Sequence, residues 1–186
     1  VRPIQNLVFD GVTFHDSFWG EPPEQWGGAH PDCLEIDGYV ASMTIRNSTF
    51  THCGDSFIGI YGDLGGPTEN VTIDHNTFVD GATYGFWGIQ ITDDGHPYHC
   101  SGIVFSDNVY RPNSANAPIP YTPIRTVCSG AVATRVIGND FQVGPNSFVV
   151  GMQYNNQAQE AFKVTVQDDG TVKMDWLKRF SNTAQH

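Results

Sequence analysis

No lysine occurs before Lys163, and the only fixed cations ahead of it are Arg2, Arg46, Arg111, Arg125 and Arg135. Across all 186 residues, 9 basic side chains face 20 acidic ones, for a net charge of −11. A surface that acidic repels phosphate backbones, so nucleic acid is excluded as a partner. Polyanionic glycans are disfavoured too, unless calcium bridges them. No run approaches the roughly 18 apolar residues of a membrane-spanning helix, so no membrane span is expected. GxGxxG, P-loop, GxSxG and HExxH patterns are also missing, and nucleotide chemistry and serine or zinc hydrolysis gain no support.

A basic segment leading into an apolar run is lacking at Val1. That points to a removed leader, or to further coils or another chain packing before Val1. CxxC is absent as well, and His52-Cys53 and His99-Cys100 are too far apart to frame a zinc site. Cys33, Cys53, Cys100 and Cys128 allow three disulfide pairings. The pairing 33–53 with 100–128 suits an exported protein, and the scarcity of lysine beside abundant Gly, Asn and Thr points to the same extracellular setting. Reduced cysteines acting as small apolar fillers are the alternative.

What the sequence does contain is a repeat. Leu7–Phe14, Met43–Phe50, Val71–Phe78, Ile103–Tyr110 and Arg135–Phe141 each read as a short alternating strand, a polar turn and a closing aromatic. The closing aromatics lie 36, 28, 32 and 31 residues apart. Second short strands follow at Cys33–Asp37, Ser56–Tyr61 and Trp87–Thr92. Strands this short pair best with their equivalents in the next repeat, about 4.8 Å away, which makes each repeat one coil of a solenoid. The expected inward stacks are Phe14/Phe50/Phe78/Tyr110/Phe141, Leu34/Ile58/Ile89 and Ile36/Ile60/Ile91. Asn76, Asn108 and Asn139 share one offset before the aromatic, which predicts a ladder of amide hydrogen bonds. An ordinary β-sandwich is the alternative, but it has no reason to repeat one aromatic-closed pattern five times.

The pattern over residues 1–150 resembles the right-handed parallel β-helix of the pectin-lyase-like superfamily. The fold expected is therefore all-β, with β-helix coils over 1–150 and a C-terminal hairpin cap over 151–186. The hairpin is read from Phe162–Val166 and Thr171–Trp176, turning at Asp169-Gly170. Loops at 15–30, 62–70 and 112–123 would wall a groove.

The densest polar constellation is His30-Pro-Asp32-Cys-Leu-Glu35-Ile-Asp37. With Leu34 and Ile36 inward, Glu35 points outward. One coil on, the register puts Asp55 and Ser56 beside Pro31 and Asp32, and Gly59 beside Glu35. A further coil on come Trp87 and Gln90. Carboxylates about 5–10 Å apart are what glycosidic hydrolysis uses. Asp32, Glu35 and Asp55 are thus the catalytic candidates, and His30, Tyr61, Trp87 and Gln90 the substrate-binding ones. Capping of turns by Asp is the structural alternative for these carboxylates.

Residues 30–60 resemble the stretch of polygalacturonase-type glycoside hydrolases that reads Asn-Thr-Asp and then Asp-Asp on successive coils. Asp32 matches the first motif, and Asp55 matches the first Asp of the pair, which implies a general acid. Ser56 stands in place of the second Asp, Phe86-Trp87-Gly88 in place of Gly-His-Gly, and no Arg-x-Lys follows. These departures point away from uronates towards a neutral glycan. Val71-Thr-Ile-Asp74-His75-Asn76 resembles the Trp-Ile-Asp-His stretch of pectate lyases, yet it also fits the plain repeat.

The expectation is a secreted, carbohydrate-active β-helix that cleaves a polysaccharide with paired carboxylates and requires no cofactor. Calcium is the one metal with candidate ligands, Asp93-Asp94 with Asp63 or Asp37. A non-catalytic glycan-binding, adhesin or structural module, or a polysaccharide lyase, are the alternatives.

Overall fold

The computed structural model describes residues 2–17, 31–62, 65–81, 87–92, 99–111, 122–127, 134–141, 148–155, 158–166 and 172–181. Among these the chain is all-β, with no α-helix. Among the described residues, two parallel sheets take one strand from each of the five repeats and a third takes one from each of the first four. The first runs β1 (Leu7–Asp10), β4 (Met43–Arg46), β8 (Val71–Asp74), β12 (Ile103–Ser106) and β15 (Thr134–Ile137). The second runs β2 (Thr13–Ser17), β5 (Thr49–Cys53), β9 (Thr77–Val79), β13 (Val109–Arg111) and β16 (Asp140–Phe141). The third runs β3 (Leu34–Asp37), β6 (Ile58–Tyr61), β10 (Trp87–Thr92) and β14 (Thr122–Val127). A short pair, β7 (Thr68–Glu69) and β11 (Cys100–Ser101), joins equivalent linkers between repeats.

The register follows the inward stacks expected from the sequence. Phe14, Phe50, Phe78, Tyr110 and Phe141 are aligned in that order. Phe50 and Phe78 are completely buried, and the ring centroids from Phe14 to Phe50 to Phe78 to Tyr110 step by 4.6, 5.0 and 6.1 Å. Leu34, Ile58, Ile89 and Ile124 form one aliphatic row, and Ile36, Ile60, Ile91 and Thr126 the next. Each fully buried isoleucine contributes about 1.5–3 kcal/mol through the water it no longer faces.

The turn between the first and second sheets is also stacked. Its corner residue is Gly11, Asn47, His75, Asp107 or Gly138, every one at a positive φ between 52° and 67°. These are types that tolerate the left-handed region through a missing or short polar side chain, His75 being the bulkiest. After Gly11 comes the half-buried Val12, and after the other four come Ser48, Asn76, Asn108 and Asn139, all buried. Each asparagine carbonyl oxygen accepts the backbone N–H of the preceding repeat: Ser48 donates to Asn76, Asn76 to Asn108 and Asn108 to Asn139, at 2.9–3.0 Å. The amide nitrogens of Asn76, Asn108 and Asn139 donate to the carbonyls of Ile45, Ile73 and Phe105. The expected ladder is therefore present, and it satisfies buried backbone groups at a corner where no strand can.

Cys33 and Cys53 form a disulfide with Cα atoms 5.3 Å apart. Cys33 precedes β3 in one repeat and Cys53 ends β5 in the next, so the bond crosses a turn between sheets and ties neighbouring repeats. Cys100 is disulfide-bonded too; the expectation of Cys128 as its partner lies outside the described residues. At the C-terminus, β17 (Phe148–Asn155), β18 (Ala158–Val166) and β19 (Val172–Ser181) form an antiparallel sheet in that order. The β18–β19 pair corresponds to the expected hairpin; the strand in front of it, β17, runs across residue 150 and was not foreseen. The turn at Asp169-Gly170 lies outside the described residues.

Candidate functional site

The outward face of the third sheet is set by the alternation that sends Ile58 and Ile60 inward. Glu35, Gly59 and Gln90 occupy one outward row, and Asp37, Tyr61 and Thr92 another; the backbones of Arg125 and Val127 continue the two registers on β14. Just before β3 and β6, the Cys33 N–H donates to the Ser56 carbonyl and the Asp55 N–H to the Pro31 carbonyl. That brings Asp32 level with Ser56 and next to Asp55, the juxtaposition expected from the repeat spacing.

Asp32 is the centre of the site. Its Oδ1 accepts the backbone N–H of Ser56 at 2.8 Å, and its Oδ2 accepts the Tyr61 hydroxyl at 3.0 Å. Tyr61 Oη in turn accepts Gln90 Nε2 at 3.2 Å. The side chains of Asp32 and Tyr61 meet over Gly59. A Cβ there would come within 2.5 Å of Asp32 Oδ2, 2.6 Å of Tyr61 Cε2 and 2.7 Å of Tyr61 Oη. Glycine inside a strand marks a close approach, and here two side chains approach it. Gly59→Ala is expected to push both groups off the strand and return the Asp32 carboxyl towards an ordinary aspartate midpoint. An NMR titration of that carboxyl checks this, and an unchanged midpoint would remove Gly59 from the architecture of the site.

Burial raises the pKa of Asp32 from 3.8 to about 7. The Ser56 N–H opposes that shift, the charge of Asp55 reinforces it, and the Tyr61 hydrogen bond opposes it. The Ser56 hydroxyl, fully buried beside the carboxyl, adds a weak opposing pull, though its geometry falls short of a hydrogen bond. Burial also raises the Tyr61 phenol, followed by the charge of Asp32 and, more weakly, those of Asp55 and Glu35. The phenol therefore stays protonated and serves as a donor. One carboxyl that keeps its proton near neutrality thus sits within electrostatic reach of other carboxylates on one face of one sheet.

Asp32, Glu35, Asp55, Tyr61 and Gln90 are brought together. Glu35 and Asp37 are exposed, Asp32, Asp55 and Tyr61 are half-buried, and Gln90 is buried. Tyr61 directs its hydroxyl at Asp32, and Gln90 directs its amide at Tyr61. The backbone of Trp87 starts β10 opposite Thr122; the expectation for its indole, and that for His30, lie outside the described residues. Of the calcium candidates only Asp37 is described, Asp63, Asp93 and Asp94 lying outside.

Asp74, His75 and Asp107 offer ligand atoms within 4.8 Å of one another, on the corner between the first and second sheets and not on the third. His75 Nδ1 lies 2.8 Å from Asp74 Oδ2, and the Ser106 hydroxyl donates to Asp74 Oδ1. The Ser106 bond and then His75 hold Asp74 below the usual carboxylate range, and Asp74 raises His75. Asn76, next in line, belongs to the buried ladder. The resemblance of this stretch to a lyase motif is thus met by residues that stitch repeats together.

No protein-family model matches this chain, and no curated protein or solved structure does either.

Proposed function

We propose that this chain is a right-handed parallel β-helix of the pectin-lyase-like kind, exported, and that the outward face of β3, β6 and β10 hydrolyses a glycosidic bond. The observation that supports this most is the Asp32 carboxyl, seated over Gly59 and held by Tyr61 and Ser56, with Asp55 and Glu35 close enough to act on the same electrostatics. A proton kept near neutral pH suits the general acid, so the acid is Asp32 and not Asp55 as the family resemblance implies. Asp32 gives its proton to the glycosidic oxygen as the bond to the anomeric carbon breaks. Water adds to that carbon and loses its proton to Asp55 or Glu35. No cofactor enters this scheme. The carboxylates of Asp32, Glu35, Asp37 and Asp55 on this face favour a neutral glycan over a uronate.

A second reading has its own observation. The bond from the Ser56 N–H to Asp32 is the kind that caps a turn, and it suits a module that binds glycan without cleaving it. Reducing-end release from a panel of neutral and uronic-acid polysaccharides separates the two. Release that drops at least about a hundredfold in Asp32→Asn is the expected result, the scale of a lost general acid. Unsaturated products that survive the substitution would replace hydrolysis by a lyase site elsewhere. No release on any substrate would leave the binding module.

A further inference from the structure

The Asp32–Tyr61 contact has a third member, and its chemistry is directional. A side-chain amide nitrogen can only donate, so Gln90 Nε2 obliges Tyr61 Oη to accept from it. The hydroxyl has one hydrogen, and with Gln90 on an acceptor lone pair that hydrogen goes to Asp32 Oδ2. Asp32 Oδ1 already accepts from the Ser56 N–H, which likewise cannot turn round. Both oxygens of Asp32 are therefore acceptors from donors of fixed direction. A proton on this carboxyl must occupy a lone pair that faces neither Tyr61 nor Ser56.

We infer that Gln90 is a positioning residue: by donating to Tyr61 it sets the polarity of the Gln90–Tyr61–Asp32 chain and thereby fixes where Asp32 carries its proton. The geometry is built for this role. Gln90 is buried on the central strand β10, in the same outward row as Gly59, and Gly59 leaves room for the hydroxyl that Gln90 addresses. Without the amide, the hydroxyl could rotate, and Asp32 could donate to Tyr61 instead of accepting from it. The proton would then point into the protein, where no substrate oxygen could receive it. Among the described residues, the charged and titratable groups around the chain are Asp55 and Glu35, whose fields reach Tyr61, Asp37, which lies opposite Tyr61 in the register, and Arg125, whose backbone pairs with Gln90 on β14.

The catalytic meaning of this inference rests on Asp32 being the acid of a glycan hydrolase, but its test needs no substrate. In the wild-type protein, the Tyr61 Cζ resonance should titrate with the Asp32 Cγ resonance through one shared midpoint. Gln90→Met should raise that midpoint by about half a pH unit or more, because the charged carboxylate loses a well-aimed donor. Tyr61→Phe should raise it at least as far. The decisive result is the double variant: if Gln90 acts through Tyr61, Gln90→Met adds nothing in the Tyr61→Phe background. An equal rise in both backgrounds would overturn the inference and make Gln90 a burial effect. Should the variants not fold, a Tyr61 resonance in the wild type that ignores the Asp32 titration would overturn it just as well. Loss of the hydrolase reading, by absent glycan release, leaves these midpoints unaffected.

Discussion

Asp32→Asn should make the protein more stable at pH 8 while abolishing glycan release. The carboxyl titrates near 3.8 in the unfolded chain and at about 7 in the folded one. Below pH 4 both forms hold the proton, and the contribution of Asp32 to stability is complete. Between pH 4 and 7 the unfolded chain ionises and the folded one does not, so stability falls as pH rises. Above 7 both are charged, and the folded state carries the full burden of a desolvated carboxylate, an upper bound of roughly 4 kcal/mol. Asparagine never ionises and keeps an oxygen for the Ser56 N–H. Its Tm should therefore be nearly flat between pH 5 and 8 where that of the wild type declines, the curves parting by about 2–4 °C for each kcal/mol. Coincident curves would mean that Asp32 is not desolvated in the folded protein, and its role as the acid would go with that. A residue whose removal stabilises the fold yet destroys release is held in place for chemistry and not for packing.

Asn108→Leu is expected to be the most damaging single substitution in the repeat array. Leucine keeps the branched heavy-atom skeleton of asparagine with bulkier methyl ends, so no cavity opens. What disappears is polar: Asn108 accepts the Asn76 N–H and the Asn76 amide, and donates to the Ile73 carbonyl and to Asn139. All of these groups are buried, and each one left without a partner costs about 1–3 kcal/mol. A loss of about 4 kcal/mol or more in chemical denaturation is the expected outcome. Val8→Thr, on a strand face where Val8 is 54 % exposed, should change stability by less than about 0.5 kcal/mol. Similar losses in the two variants would show that water replaces the ladder at no cost.

The sequence made the interior legible because inward positions obey two simple rules, alternation along a strand and identity between repeats. Phe50 over Phe78 and Ile58 beside Ile89 could be read from spacing alone, and so could Asn76 over Asn108. The stacked left-handed corner was not legible, since Gly11, Asn47, His75 and Asp107 share a backbone conformation that four different side-chain types can adopt. The Cys33–Cys53 bond is the one favoured among three pairings, though spacing alone does not show that the chain folds back between the two cysteines. At the candidate site the register put Asp55 and Ser56 beside Asp32, as found. The bond from Tyr61 to Asp32 escaped notice because it is diagonal: Tyr61 lies opposite Asp37 in the register, yet its ring reaches back across Gly59. The signal that could have shown it was Gly59 itself, an unexplained gap in Ile58-Gly59-Ile60-Tyr61. Strand β17 was missed because Phe148–Asn155 is interrupted by Gly151 and lacks the closing aromatic of the repeats.

The Cys33–Cys53 bond also has a mechanical meaning. In the three parallel sheets, hydrogen bonds between successive repeats run along the direction in which the repeats follow one another. Tension applied along that direction opens them row by row, and the rupture force is that of one inter-repeat boundary, however many repeats lie behind it. The staple changes this at one end. A chain drawn out from its N-terminal side can shed β1 and β2, but the tether at Cys33 transfers the load to β5 before β3 can detach. The strand bearing Glu35 and Asp37, which follows the tether, is thus shielded from a pull that would strip the strands before it.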